Sequence, residues 1–150
     1  MIRILVQTAP IDIAAELARV EMPGAGGVAS FTGLVRADDG VTMLELEHYP
    51  GATEAALTRL AEEAFVRWGL LAATIVHRVG AMGPGERVVF VGTAAAHRAP
   101  ALEACTYLID RLKTDAPFWK RESVAGASPR WVEARDSDSS AAARWQDPAH

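Results

Sequence analysis

Residues 87–124, RVVFVGTAAAHRAPALEACTYLIDRLKTDAPFWKRESV, read as a strand, a helix and a second strand in direct succession. Arg87–Ala95 is an apolar run rich in β-branched residues. From Ala99 to Asp115 apolar residues recur at helical spacing, with Leu102, Cys105, Ile109 and Leu112 on one stripe and Ala101, Ala104 and Leu108 beside it. Pro117 disfavours helix at the residue before it and so closes the segment, and Phe118–Val124 resumes as a strand.

Working outward, Ala73–Val79 is another apolar β-prone run. It reaches Arg87–Ala95 through Gly80–Glu86, whose MGPGE is turn chemistry, so the two runs read as a hairpin. Ala52–Trp68 places Leu57, Leu60, Ala61, Ala64, Phe65 and Trp68 at helical spacing and stops at Gly69. Residues 27–36 and 41–49 flank the loop Ala37–Gly40 and read as two paired strands. Before the break at Pro23–Gly27, Met1–Gln7 is β-rich and Ile13–Val20 is a short amphipathic helix introduced by Pro10 and Asp12. After the Gly126–Pro129 turn, Arg130–Arg135 reads as a short strand, and a Ser, Ala and Asp rich tail follows. This order predicts one α+β domain over residues 1–135 with a mainly antiparallel sheet and about three helices, and a C-terminal tail over 136–150. No repeat period interrupts it.

Composition narrows the function. The chain has 150 residues, 50% hydrophobic, with 23% charged and a formal net charge of −4. That excludes a disordered composition and a global polyelectrolyte match to nucleic acid, so any basic site is local. Cys105 is the single cysteine, which excludes an intrachain disulfide, a CxxC redox pair and a cysteine zinc cage. It lies on the apolar stripe of a helix and reads as a buried, inert thiol. The apolar start of the chain is interrupted by Gln7, Pro10, Asp12 and Glu16, unlike a signal peptide, and no stretch approaches the roughly 18 apolar residues of a membrane span. The expectation is a cytoplasmic protein with no membrane or nucleic-acid partner.

Three places carry candidate chemistry. In LKTDAPFWKRE (112–122), Lys113 and Lys120 flank the helix-ending proline, so a helix end and a following strand bring two amines toward one place. A helix cap followed by a solvated basic patch accounts for the same composition; a site needs a second basic cluster nearby. His97–Arg98, at a strand-to-helix junction, offers free backbone N–H groups, a guanidinium fork and a group that titrates near neutral pH, all suited to a phosphate. Arg36 ends FTGLVR (31–36). His48 and Tyr49 are explained by a strand ending at a Tyr-Pro-Gly turn, and His77 by an interior or edge position in an apolar strand. The histidines at 48, 77, 97 and 150 show no HxH or HExxH spacing, so no metal is expected.

Taken in order, FTGLVR (31–36), LEHYPG (46–51), HRVG (77–80), PGE (84–86), HR (97–98), LKTDAPFWKRE (112–122) and RWVEAR (130–135) resemble the large, catalytic subunits of molybdopterin synthase, the MoaE family. The resemblance runs from about Gly27 to Arg135. It implies an α/β hammerhead-type fold and a homodimer that forms a heterotetramer with two small ubiquitin-like sulfur-carrier subunits. Each carrier ends in a Gly-Gly thiocarboxylate whose tail enters the large subunit's pocket. The implied reaction transfers two sulfurs to cyclic pyranopterin monophosphate and forms a dithiolene, with no cofactor and no catalytic cysteine. The resemblance assigns Lys113 and Lys120 as catalytic and Arg36, His97, Arg98, Arg121 and Glu122 as substrate-binding, some of them contributed by the neighbouring chain of the dimer. At Leu34 the family also admits polar or basic residues, so only its backbone is assigned. A transferase or hydrolase acting on another phosphate ligand lacks a nucleophile or metal here, and a non-catalytic scaffold for a ubiquitin-like partner would be favoured by loss of either lysine, yet both are present.

Overall fold

The computed structural model describes residues 1–37 and 40–124, the backbone of 130–132, and residue 145. In chain order the elements are β1 (Ile2–Gln7), α1 (Ile13–Val20), β2 (Gly27–Leu34), β3 (Val41–His48), α2 (Ala52–Trp68), β4 (Ala72–Arg78), β5 (Gly80–Met82), β6 (Arg87–Ala95), α3 (Arg98–Asp115), β7 (Phe118–Val124) and β8 (Arg130–Val132). They form two four-stranded sheets. The first has the order β1-β4-β6-β2, parallel between β1 and β4 and antiparallel elsewhere. The second, β5-β3-β7-β8, is antiparallel throughout. The architecture is the expected α+β class.

Every position of β4 is buried, because its sheet is covered on both faces. On one face, Ala73, Ile75, Val89 and Val91 pack with Leu57, Leu60, Ala61 and Ala64 of α2 and with Ala104, Leu108 and Leu112 of α3. On the other, Ala72, Val76, Phe90 and Ala94 meet Val20 of α1. The alternation of neighbouring residues between the two clusters is the period-two pattern of a strand. Helix ends follow local chemistry: Asp12 accepts from the Ala15 N–H at 3.1 Å to start α1, and Gly69 takes the left-handed conformation, φ 60°, that closes α2.

Three expectations need correction. Strands β2 and β3 do not pair: β2 lies against β6 over Gly27–Leu34, and β3 pairs with β5 and β7 in the other sheet. The chain changes sheets after Val35, whose N–H donates to the Glu86 carbonyl at 2.9 Å, and Val35 then packs with Leu46 and Met82 as a separate small core. The segment Gly80–Glu86 is more than a turn, since Gly80–Met82 forms β5 and carries the chain to the second sheet between the paired strands β4 and β6. The buried stripe of α3 is Ala101, Ala104, Cys105, Tyr107, Leu108 and Leu112, while Leu102 is 57% exposed, because the helix packs through its small residues. Of the expected strand Arg130–Arg135, the part beyond Val132 lies outside the described residues.

Of the C-terminal tail, Trp145 is described. Its ring stands edge-on to Trp68 and Tyr107 at centroid distances of 5.9 and 5.6 Å, and its Nε1 donates to Asp110 at 2.6 Å, so it is buried against α2 and α3.

Thr53 locks the second sheet to the helices. Its buried Oγ1 accepts from the Tyr49 N–H at 2.9 Å and donates to the Pro117 carbonyl at 2.7 Å, joining the exit of β3, the start of α2 and the entry to β7. Thr53→Val keeps the volume and orphans both backbone groups. A loss of about 1–3 kcal/mol is expected, read as a lower urea midpoint at unchanged slope; an unchanged midpoint would show that the clasp is not needed.

Candidate functional site

The direction of α3 decides which basic residues meet. Two residues, Ala96 and His97, separate β6 from α3, so the helix turns back along the strand. Thr93 Oγ1 donates to the Ala101 carbonyl at 2.7 Å and pins the first turn beside the end of β6. The 18-residue helix is therefore laid antiparallel to β6, with its last turn at the Arg87 end of the sheet. Because β2 is antiparallel to β6 and pairs Leu34 with Arg87, Arg36 stands at that same end.

Lys120 reaches this end from the second sheet. It pairs with Leu46, and cross-strand partners share a face, so Lys120 projects on the side where Leu46 packs with Val35, Met82 and Val88. Its own side chain is exposed at the rim. Lys113 occupies the last turn of α3, where the carbonyl end of the helix favours a cation. Arg36, Lys113 and Lys120 thus share one end of the molecule.

His97 and Arg98 occupy the other. Fifteen residues of helix separate Arg98 from Lys113, about 22 Å at 1.5 Å per residue. His97 is the N-cap of α3 without a side-chain capping bond, and no acidic residue stands in the first turn. Among the described residues neither the His97 nor the Arg98 side chain has a hydrogen bond or ion pair, and both are exposed. The junction rests directly on glycine: a Cβ on Gly26 would lie 2.0 Å from the Ala96 carbonyl oxygen, and one on Gly27 3.0 Å from the Arg98 Cα. The result is a basic helix N-terminus with free N–H groups, able to take an anion.

Arg121 and Glu122 divide between faces. Arg121 alternates with Lys120 onto the outer face of the second sheet and places one Nη 3.1 Å from both oxygens of Glu45, an exposed pair worth about 0–1 kcal/mol. Glu122, opposite Leu44, shares the Lys120 face. Trp119, on the Arg121 side, stacks on Tyr49 at 6.4 Å, and both aromatics are exposed.

Against Phe118, two residues before Lys120 on β7, the structure adds a group that sequence reading placed only as an interior residue. His77 of β4 is buried, its Nδ1 lies 2.8 Å from the Arg78 carbonyl, and its ring stacks on Phe118 at 4.1 Å and 24°. Burial pushes its pKa down to about 4, the Arg78 carbonyl opposes that shift, and the charge of Lys120 adds to it. A contact between residues 41 positions apart leaves no periodic trace in a sequence. Cys105 is buried, and burial raises its thiol to about 11, so it supplies no thiolate at neutral pH. Among the described residues no cluster of three or more His, Cys, Asp or Glu side chains is placed to hold a metal ion, and no helix is long and apolar enough to cross a membrane.

Residues 6–115 match the family model described as MoaE protein. A molybdopterin synthase catalytic subunit from Pseudomonas aeruginosa is 50% identical over 149 residues, 96% of this chain and 99% of that protein. One from Escherichia coli is 52% identical over 123 residues, covering 80% and 81%. The solved structure of molybdopterin cofactor biosynthesis protein E from Burkholderia multivorans superposes with a TM-score of 0.84 at 46% identity and covers 98% of each chain.

The neutral state of His77 predicts an acid-side weakness. Its folded pKa, about 4, is below its unfolded value of about 6.5. The stabilisation is complete above pH 6.5, is lost as pH falls toward 4 and changes no further below that, a total on the order of 3 kcal/mol. Urea unfolding at pH 7 and pH 4.5 should therefore show a larger acid loss for wild type than for His77→Gln; equal losses would refute the assignment.

Proposed function

Since the chain belongs to the MoaE family, we propose that it is the catalytic subunit of molybdopterin synthase and works in the cytoplasm as a sulfurtransferase. It takes sulfur from the thiocarboxylated C-terminal Gly-Gly of a separate, small ubiquitin-like carrier and places two sulfurs on cyclic pyranopterin monophosphate. Each transfer forms a pterin carbon–sulfur bond in place of a carbon–oxygen bond, one oxygen leaving as water and the other with the phosphate as the cyclic ester opens to a terminal phosphate; hydrolysis of the acyl–sulfur bond returns the carrier tail as a carboxylate, so two loaded carriers are consumed per dithiolene. The sulfur nucleophile arrives with the carrier, in keeping with the buried Cys105.

The observation that carries the site assignment is the shared end of Arg36, Lys113 and Lys120, where two anions, a thiocarboxylate and a phosphate-bearing pterin, would otherwise repel. Lys113 contacts the reacting carbonyl of the tail and stabilises the charge developing there. Lys120, on the strand, assists at the pterin and exchanges protons with it. Glu122 lines the same face. Arg121, held by Glu45 on the outer face, orients the strand and meets ligand only at the edge of the pocket.

Arg98 and Lys113 of one chain are too far apart, about 22 Å, to hold one small substrate. The active enzyme is therefore a homodimer in which His97 and Arg98 of one chain complete the pocket holding Lys113 and Lys120 of the other, with one carrier per pocket making a heterotetramer. Residues 1–135 form the catalytic domain, and 136–150 are a tail attached at Trp145.

The test is dithiolene formation from purified protein, thiocarboxylated carrier and cyclic pyranopterin monophosphate. Lys113→Ala and Lys120→Ala should each fold and lose activity by about 100-fold or more, the scale for removing a proton-transfer or charge-stabilising group. No product from folded wild type that binds the carrier would leave a docking scaffold as the better reading. A second expectation separates one-chain from two-chain sites. Lys120→Ala and Arg98→Ala proteins, each inactive, should regain about a quarter of wild-type activity after co-refolding, because half the dimers are mixed and each carries one intact pocket. Absence of any recovery would overturn the two-chain pocket.

A further inference from the structure

We infer that His77 is a positioning residue for Lys120: its ring, fixed by the Arg78 carbonyl and the Phe118 face, holds an uncharged floor and a hydrogen-free Nε2 edge beneath that lysine. The inference rests on the reading of Lys120 as an active-site group.

The tautomer follows from the bond. A carbonyl only accepts, so the 2.8 Å contact between Nδ1 and the Arg78 oxygen puts the hydrogen on Nδ1 and leaves the lone pair on Nε2. The ring plane is set by its 4.1 Å stack on Phe118. Phe118 and Lys120 are two apart on β7, so their side chains leave the strand on the same face, the face that meets β4. The charge of Lys120 is accordingly felt at His77.

Of the charged groups at this end, Glu122 shares the Lys120 face of β7 and Lys113 stands in the last turn of α3, while the residues that pair with or stack on His77 itself are uncharged. The ladder partners of His77, Val6 on β1 and Val89 on β6, are uncharged. Arg78 points to the opposite face, where it binds Glu86 and the Thr8 carbonyl. His48 on β3 is paired with Phe118 and lies 3.9 Å from Glu54 of α2. A phenyl or aliphatic side chain would fill the His77 position in the AATIVHR strand without the cost of burying an imidazole. In this reading the imidazole offers Lys120 an acceptor lone pair on Nε2 and, once the amine has given up its proton, leaves no fixed charge behind.

Lys113 and Lys120 are the chain's only lysines, so the amines can be read directly. Reductive methylation with 13C-formaldehyde gives one dimethyl signal for each lysine, assigned with Lys113→Arg and Lys120→Arg proteins and followed through pH. Relative to wild type, His77→Phe should move the Lys120 titration about one pH unit lower, the effect of removing one acceptor from a charged group, and leave Lys113 in place. His77→Gln, whose amide oxygen reaches the Nε2 position, should restore the wild-type titration. His77→Asn, which reaches only the Nδ1 position, should not.

In the synthase assay His77→Phe should lower kcat about tenfold at unchanged KM for the carrier and shift the alkaline limb of the pH profile with the lysine. Identical Lys120 titrations in wild type and a folded His77→Phe overturn the inference. So does a 15N spectrum of wild type with hydrogen on Nε2 of His77 instead of Nδ1, a result that needs no variant to fold. If wild type makes no dithiolene, the proposed function fails while the titration and tautomer results still decide the role of His77.

Discussion

Strand β6 is hydrogen-bonded on both sides along most of its length, and the rest of the molecule is arranged by that fact. Ile75, Val76 and His77 of β4 pair with Val91, Phe90 and Val89 on one edge, while β2 pairs from Gly27 to Leu34 on the other. A strand so enclosed has no free edge, and its N–H and C=O groups are satisfied by two ladders. The short link to α3 then leaves the helix one direction, back along β6. Helix direction fixes which end of the sheet receives Lys113, and β2 register fixes that Arg36 is there too.

The second sheet hangs from the first by few threads, and those threads place the chemistry. Val35 is bonded to Glu86, the buried Thr53 hydroxyl bridges Tyr49 to Pro117, and Phe118 lies on His77. Each contact sits within a few residues of a group assigned to the pocket. Rigidity at Pro117 matters because Lys113 and Lys120 lie on either side of it, one on a helix and one on a strand of another sheet. Pre-organised donors act on developing charge without being reorganised during the reaction, and for the proposed roles of the two lysines this bridged junction would supply that stiffness.

Much of this was legible in the sequence where one element carries its own pattern. The bounds of α1, α2 and β7 follow from spacing, capping and Pro117. Pairing was less legible. The loop after Leu34 is short enough for a hairpin, yet Gly27–Leu34 finds a better partner in β6, and local turn chemistry says nothing about that competition. The face of α3 was read from its large residues, although small ones, Ala101 and Ala104, let the helix approach the sheet and leave Leu102 outside. At the site, residue types and motif order named the basic groups. The distance between the two ends of α3, and the imidazole stacked on Phe118, required the fold.

The distribution of basic residues completes the argument. Lys and Arg together number fifteen, and two of them are lysines. Where the fold needs a fixed cation it uses arginine: Arg3 on the nearly buried Glu16, Arg78 between Glu86 and the Thr8 carbonyl, Arg111 on Asp115 and the Tyr107 hydroxyl. A guanidinium stays charged at any pH a protein meets and binds carboxylates with a planar fork, so it suits structural pairs. An ammonium differs in one decisive respect, since burial and neighbouring charge bring its proton within reach of exchange. In a chain of net charge −4, both lysines flank the proline that joins the last helix to the second sheet, and the strand that carries Lys120 lays Phe118 on a histidine that stays neutral at neutral pH. Fixed charge is thus spread through the scaffold on arginines, and the two ammonium groups are confined to one junction.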